Sequence, residues 1–337
     1  MNAAADKSKL EERKTTWPEA NQRCLMAVVD VVRAFLERHT KRFPAEDSAG
    51  APPEDSIPEA EARLKAAEAA MPAPSALDRL GAMLGLSAFE RWILVQCAGV
   101  ELDGSFGAVR AAPQHSPPRD YPTFSQALAA FPGAHWSALS PDAPLRHWRL
   151  IEVTPGDALT TSRLRIDERI LHFLAGVEAQ DERLHGIIFP VGAPSDLADS
   201  HRQLAERLAA AWSREPHFSA LPPIQLCGPD LSVHRAIALA ACQLLNLRLK
   251  LLPLHALPAS STEFEALARL WTREAALTRS ALLLETDEAA ASEPAGQGLI
   301  DRWLQSSTNP FFVSGREKVQ NTTRPLIVIE VGKPRKG

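Results

Sequence analysis

Hydrophobic positions recur along this chain with two different spacings, and each spacing occupies its own region. In the first half they fall three and four residues apart. Leu25, Val28, Val29, Val32 and Phe35 share one helical face, which predicts an amphipathic helix over Trp17 to His39. Ala60 to Ala70 is compatible with a helix but carries few large apolar side chains. Ser87-Ala88-Phe89-Glu90 reads as a capping box opening a helix through Trp92, Ile93, Val95 and Cys97 to near Gly99. Thr123-Phe124-Ser125-Gln126 is a second capping box, and its helix stops at Pro132-Gly133. Ser140-Pro141 predicts a third helix with proline at its first position, where no N–H is missed. Trp148 to Val153 and Arg163 to Ile166 read as two strands around a loop at Thr154 to Thr161. Asp167 is placed to cap a helix from Glu168 to Ala175, stopped by Gly176. Three helices followed by a hairpin is the order of a winged helix.

In the second half, short apolar runs alternate with helical stretches. Ser200 to Trp212 predicts a connecting helix. Strands are expected at Ile224 to Gly228, Leu247 to Leu254, Ala281 to Glu285, Phe311 to Ser314 and Leu326 to Val331. Helices at Ser232 to Asn246, Thr262 to Leu277 and Gly298 to Ser306 fall between them. The expected fold class is therefore mixed α/β in two domains. A helical winged-helix domain precedes a doubly wound, P-loop-NTPase-like parallel sheet of five strands. The expected divisions are 1–76 (N-terminal helix and a Pro-rich acidic linker at 43–58), 77–191 (winged helix), 192–220 (connecting helix) and 221–334 (α/β domain).

Composition narrows the chemistry. The 337 residues hold 37 basic and 41 acidic side chains, for a net charge of -4. Binding to nucleic acid through overall charge normally needs a strongly basic protein, so that class is disfavoured. Only nine of the basic residues are lysine, and none lies between Lys65 and Lys250. The four cysteines, Cys24, Cys97, Cys227 and Cys242, form no C-x-x-C pair and read as buried cytosolic thiols. The polar N-terminus is not a signal peptide, and no apolar run approaches the roughly 20 residues of a bilayer span. A soluble, cytoplasmic chain with no membrane contact is expected.

The first strand-to-helix turn of the α/β half is where a doubly wound domain binds phosphate. It reads Gly228-Pro229-Asp230-Leu231-Ser232-Val233-His234-Arg235. A P-loop requires a second glycine, a lysine and a hydroxyl where this chain has Val233, His234 and Arg235. Only the first glycine matches, and a corner kept for packing is the preferred reading. The third strand ends Leu284-Glu285-Thr286-Asp287-Glu288. An ATPase places an Asp and then a Glu directly after such a run, and here Glu285 and Thr286 hold those places. Ser314 stands where a γ-phosphate would be sensed, and Arg316 and Arg324 are arginine-finger candidates, although solvated loop arginines are the commoner case. The degenerate nucleotide-binding set is thus Gly228, Pro229, Asp230, Ser232, His234, Arg235, Glu285, Asp287 and Ser314. No catalytic residue and no metal site are expected.

The predicted third helix carries Arg146 and His147 opposed by Asp142, with Arg149 following, and the wing loop has no basic residue. That is a poor footprint for DNA. Asp142, Arg146, His147 and Arg149 are instead the expected protein-contact surface. The histidines form no i, i+4 metal pair, and Gly104-Ser105-Phe106-Gly107 lacks the spacing of a nucleophile elbow.

Several motifs carry a family likeness. Leu84-Gly85-Leu86-Ser87, Phe89-Glu90-Arg91, Cys97-Ala98-Gly99 and Glu101-Leu102-Asp103 are four of them. His135-Trp136, Ala138-Leu139-Ser140-Pro141, Pro144-Leu145-Arg146 and Leu164-Arg165-Ile166-Asp167-Glu168-Arg169-Ile170-Leu171 are the others. Together they resemble the winged-helix domain of large bacterial AAA+ ATPases that occur with phage-tail-like contractile injection systems. The likeness runs over residues 17 to 334. It implies a degenerate AAA-like domain at Leu221 to Pro334, to be followed by an intact AAA+ domain that this sequence does not contain. The function so implied is a non-catalytic adaptor and regulatory portion of such an ATPase. Its winged helix would recognise a partner protein, and its degenerate domain would pack in a homo-oligomeric ring during injection-system assembly or cargo loading. The partners implied are the intact AAA+ domain and injection-system proteins, and the only cofactor is ATP or ADP with Mg²⁺ held without hydrolysis. The alternatives are a winged-helix DNA-binding regulator and a divergent ATP-binding protein with weak NTPase activity through Arg235 and Glu285.

Overall fold

The computed structural model describes residues 15–42, 56–104, 106, 121–156, 158–192, 197–213, 221–286, 293–320 and 322–333. The chain divides into two compact units, Met1–Ala179 and Gln180–Gly337.

The first unit holds α1 (Trp17–Arg42), α2 (Ile57–Ala69), α3 (Ala76–Leu84), α4 (Ala88–Leu102), α5 (Phe124–Ala130), α6 (Pro144–His147), β1 (Ile151–Val153), β2 (Leu164–Ile166) and α7 (Glu168–Leu174). The apolar stripe of α1 is buried, and α1 packs on α2, α4 and α5. Phe35 meets Trp92 and Phe131 edge-on, at 5.7 and 6.3 Å between centroids. The buried Asn21 donates its amide to the Leu174 carbonyl at 2.9 Å and accepts from the Ala76 N–H at 2.8 Å. Both halves of a buried amide are thereby satisfied, and α1 is built into the first unit. Both capping boxes form, at Ser87–Glu90 and Thr123–Gln126. Gly99 allows α4 to lie against Phe106, whose ring would sit 2.7 Å from any Cβ there.

Three expectations need correction in this unit. The third helix does not run from Ser140 to Trp148. A 3-10 turn at Trp136–Leu139 is followed by a bend at Ser140, where the Ala143 N–H bonds the Ser140 carbonyl at 3.0 Å. Helix starts only at Pro144, which takes the N-terminal position expected of Pro141, and it lasts four residues. The first strand starts at Ile151 rather than Trp148, because Arg149 adopts φ 50 and breaks extended backbone. The linker ends earlier than residue 58, since Ile57 and Pro58 already belong to α2.

The second unit holds β3 (Phe189–Pro190), α8 (Asp199–Ser213), β4 (Ile224–Cys227), α9 (Leu231–Leu244), β5 (Arg248–Pro253), α10 (Ser261–Thr278), β6 (Ser280–Glu285), α11 (Pro294–Ser306), β7 (Phe311–Gly315) and β8 (Ile327–Glu330). All five expected strands are present, and they run parallel. The sheet has six strands, however, in the order β3-β5-β6-β7-β4-β8. The sixth is β3, which pairs antiparallel with β5 through Phe189 and Pro190. Two residues ending in proline give no periodic pattern to read.

Alternation along the central strands sends side chains to both faces. Leu282, Leu284, Phe311 and Val313 pack with Trp271 of α10 and Trp303 of α11. Ile224, Leu226, Leu283 and Phe312 pack with α8 and α9 on the other face. Both faces are covered, as parallel sheets require. The segment after Ala179 is tied down by a buried ion pair, Asp181 with Arg273, and Asp181 also accepts twice from Arg183 at 2.9 Å.

Candidate functional site

The connection from β4 leaves on the α9 face, while α11 feeds the neighbouring β7 from the opposite face. Their carboxyl ends form the crevice where a doubly wound sheet holds a ligand. The structure brings most of the sequence-derived set together there. Gly228 ends β4, Asp230 to Arg235 open α9, Glu285 and Thr286 end β6, and Ser314 lies in β7.

Most of these groups are held by one another or by neighbouring backbone, but among the described residues His234 Nε2 is buried with no hydrogen-bond partner. Asp230 is the N-cap of α9, and its carboxylate accepts from the Ser232 N–H at 3.0 Å, the Val233 N–H at 3.4 Å and the Ser232 hydroxyl at 2.6 Å. The Ser232 bond leads the causes that hold its carboxyl below the ordinary value. These backbone donors at a helix N-terminus are the ones a phosphate would take.

His234, at the position of a P-loop lysine, is wholly buried, and its Nδ1 lies 2.9 Å from the Ser314 hydroxyl. Burial pushes its pKa down to about 4, against the opposing pull of Asp230 and Glu285, so the ring is neutral near pH 7. A Cβ on Gly228 would lie 2.6 Å from the Val331 carbonyl oxygen and 3.1 Å from His234 Nε2. Glycine is needed there because a Cβ would run into the Val331 carbonyl.

Arg235 forms a two-pronged pair with Glu285, at 2.6 Å from Nε and 2.5 Å from Nη2. The arginine and the carboxylate that a divergent NTPase would use are thus held by each other. Thr286 donates its hydroxyl to the Ser314 carbonyl at 3.0 Å and its N–H to the same oxygen at 2.8 Å. Pro229 lies between Gly228 and the capping aspartate, without an N–H to offer. Asp287 lies outside the described residues.

The two finger candidates part company. Arg316 is exposed just after β7. Arg324 sits at the opposite, N-terminal end of the strands. Its guanidinium donates to the carbonyls of Ser307 at 2.7 Å, Leu221 at 3.0 Å and Leu304 at 3.3 Å. Arg324 joins loops rather than facing the crevice.

The residues present do not fit Mg-nucleotide. No lysine stands in the turn, the helix amides hold Asp230, and the nearest guanidinium holds Glu285. Among the described residues no cluster of three or more metal-ligating side chains occurs. The four cysteines are buried, and burial pushes the Cys242 thiol up to about 12.

In the first unit, β1 and β2 pair antiparallel as the wing, with Ile151 opposite Ile166. A family described as "Winged helix domain, variant" matches residues 3–188. The chain belongs to this winged-helix family. No curated protein matches it. Among solved structures, one titled "Structure of Rhizobiales Trip13" matches at 20% identity and a TM-score of 0.26. That match covers 39% of this chain and 61% of the other, so this chain spans less than two thirds of its length.

The four residues expected at the winged-helix surface differ in exposure. Arg146 is half-buried and gives its guanidinium to the Leu139 carbonyl at 2.7 Å. His147 is half-buried against Trp148, edge-on at 4.5 Å between centroids. Asp142 and Arg149 are exposed. The large side chain that stands out is Trp136, 65% exposed. His135 pins the turn that carries it. The His135 ring packs on Phe89, with Nε2 3.1 Å from the Ser87 hydroxyl and Nδ1 2.8 Å from the Ser137 hydroxyl. Sequence reasoning placed Trp136 in a motif but not on the surface. The available signal was a tryptophan between a proline-glycine stop and a serine-proline pair. Among the described residues, no helix is long and apolar enough to cross a membrane.

Proposed function

We propose that this chain is the non-catalytic adaptor and regulatory portion of an AAA+-type ATPase assembly. The winged-helix unit recognises a partner protein, and the α/β unit serves as a packing and motion-transmitting body. The observation that carries this reading is the closure of the crevice by the chain's own Asp230. Its carboxylate takes the two α9 amides, while Arg235 and Glu285 neutralise each other. A P-loop-type site needs those donors and a free cation. The sequence resemblance supports a decayed P-loop ancestry for the five parallel strands. It also supports injection-system proteins and an intact AAA+ domain as the partners. The exposed Trp136 on a pinned turn suits protein recognition, where rigid aromatic side chains contribute most.

Equilibrium binding of a fluorescent ATP analogue, with and without Mg²⁺, tests the closed crevice. The expected result is no binding at millimolar-order nucleotide, where a working site would saturate. Micromolar-order binding overturns the closed crevice and makes a regulatory nucleotide the reading. Capture experiments with injection-system components test the adaptor role, and capture must be lost on Trp136→Ala.

A further inference from the structure

Both faces of the six-stranded sheet are covered, but one edge is open. β8 pairs with β4 on one side, and among the described residues no strand pairs with its other side. The Ile327 N–H bonds the Pro223 carbonyl at 3.0 Å and the Val331 N–H bonds the Cys227 carbonyl at 2.7 Å. Backbone groups alternate in direction along a strand, so Ile327, Ile329 and Val331 direct their amides and carbonyls toward β4. Val328 and Glu330 direct theirs outward. Ile327 is 39% exposed and Glu330 is exposed, so this edge meets solvent. The segment Leu326-Ile327-Val328-Ile329-Glu330-Val331 is rich in β-branched residues and is bracketed by Pro325 and Pro334. An open edge of this composition is a template for another strand.

The pattern of the edge selects the strand. We propose that β8 pairs antiparallel with β8 of a second copy of this chain, about a two-fold axis at Ile329. In that register Val328 of each copy faces Glu330 of the other. Each such pair exchanges both N–H···O bonds. All the outward groups of Val328 and Glu330 in both copies are then used, giving four hydrogen bonds by that geometry. Ile329 faces Ile329, and Ile327 faces Val331, so the apolar side chains meet on one face. Glu330 faces Val328, so no carboxylate lies opposite another, a juxtaposition that would be repulsive. Shifting the register by one residue aims inward-facing groups at the new partner. Shifting it by two residues sets either Glu330 against Glu330, or Val328 against Val328 with Glu330 opposite Leu326, which lies outside the strand. The contact is isologous, so it closes on two copies. The β3–β5 edge remains available to other neighbours. This inference does not depend on the closed crevice.

The test uses the full chain with Ile329→Cys under mild oxidation by oxidised glutathione. Residues opposite each other in a non-hydrogen-bonded pair have Cα atoms about 4.5 Å apart, within disulfide range. The expected result is a disulfide-linked dimer with Ile329→Cys and none with Val328→Cys, whose two copies are offset along the edge. The native cysteines are buried and give no background. Sedimentation of the unmodified chain is expected to show concentration-dependent dimers. Val328→Pro should abolish them with the circular dichroism unchanged, since the lost N–H serves no bond to β4. A chain that stays monomeric at all concentrations overturns the proposal. So does a dimer that survives Val328→Pro, or equal crosslinking of the two cysteine variants.

Discussion

The two units treat the place where their fold would hold a ligand in opposite ways. In the α/β unit, the crevice at the strand ends is filled by side chains that bond each other. Asp230 caps α9, His234 meets Ser314, and Arg235 meets Glu285. In the winged-helix unit, side-chain bonds pin a turn but leave its aromatic residue in solvent. His135 and Arg146 hold the Trp136–Leu139 turn, and Trp136 stays exposed. Polar networks therefore do different work in the two halves. One network closes a site, and the other presents one.

Breaking the interior of the α/β unit should give the largest effect. Asp181→Ala removes a carboxylate that the wholly buried Arg273 pairs with. Removing one partner of a buried pair costs about 3–5 kcal/mol. Urea unfolding should show that loss, and hydrogen exchange should place it in residues after 180. Burial raises the Asp181 carboxyl, but the hydrogen bond to Arg183 and the charges of Arg273 and Arg183 outweigh it and hold the group below its usual 3.8. The stability it supplies is present above that value and is lost as pH falls beneath it.

The closed crevice gives the next effect, and it titrates. The His234 pKa is depressed from 6.5 to about 4. Protonation therefore favours the unfolded chain. The contribution is complete above pH 6.5 and is lost as pH falls from 6.5 toward 4. It amounts to at most about 3 kcal/mol at 1.36 kcal/mol per pKa unit. In a pH series of melting curves, the difference between the wild type and His234→Gln should be constant above pH 6.5 and should change, to the wild type's disadvantage, as pH falls from 6.5 toward 4. Parallel curves would remove His234 from the account.

A smaller effect should follow in the winged-helix unit. Ser87→Ala removes a capping box and the hydroxyl beside His135. Loss of such a cap costs about 1 kcal/mol. Partner capture should weaken as well, because the Trp136 turn loses one of its pins. The smallest change in stability is expected for Trp136→Ala, within about 0.5 kcal/mol for an exposed side chain. That substitution should nevertheless abolish capture, and a variant that still captures the partner fully would dissolve the contrast between the units.

Much of this organisation was legible from local signals. Capping boxes at Ser87 and Thr123 depend on residues three apart, and both form as read. The five parallel strands announce themselves as apolar runs because both of their faces are covered. The misreadings share one cause. The third helix was extended from a serine-proline pair, yet Arg149 in a left-handed conformation and the bend at Ser140 cut it to a single turn. β3 is too short for any period to show. Asn21 has no local signal for its role, which is to join α1 to Leu174 and Ala76.

The sequence by itself determined the five parallel strands and most of the longer helices, since caps, periodicity and turn residues act within a few positions of themselves. It also determined that the first strand-to-helix turn lacks the P-loop lysine and second glycine. Only the tertiary structure decided that His234 meets Ser314 and Arg235 meets Glu285, and that Trp136 is exposed while Arg146 is half-buried. It alone shows that Arg324 joins loops at the far end of the sheet. Arg235 with Glu285, His234 with Ser314 and Arg324 with Leu221 join partners 50, 80 and 103 residues apart in the chain. Folding brings those partners together, and no local pattern encodes which of them meet.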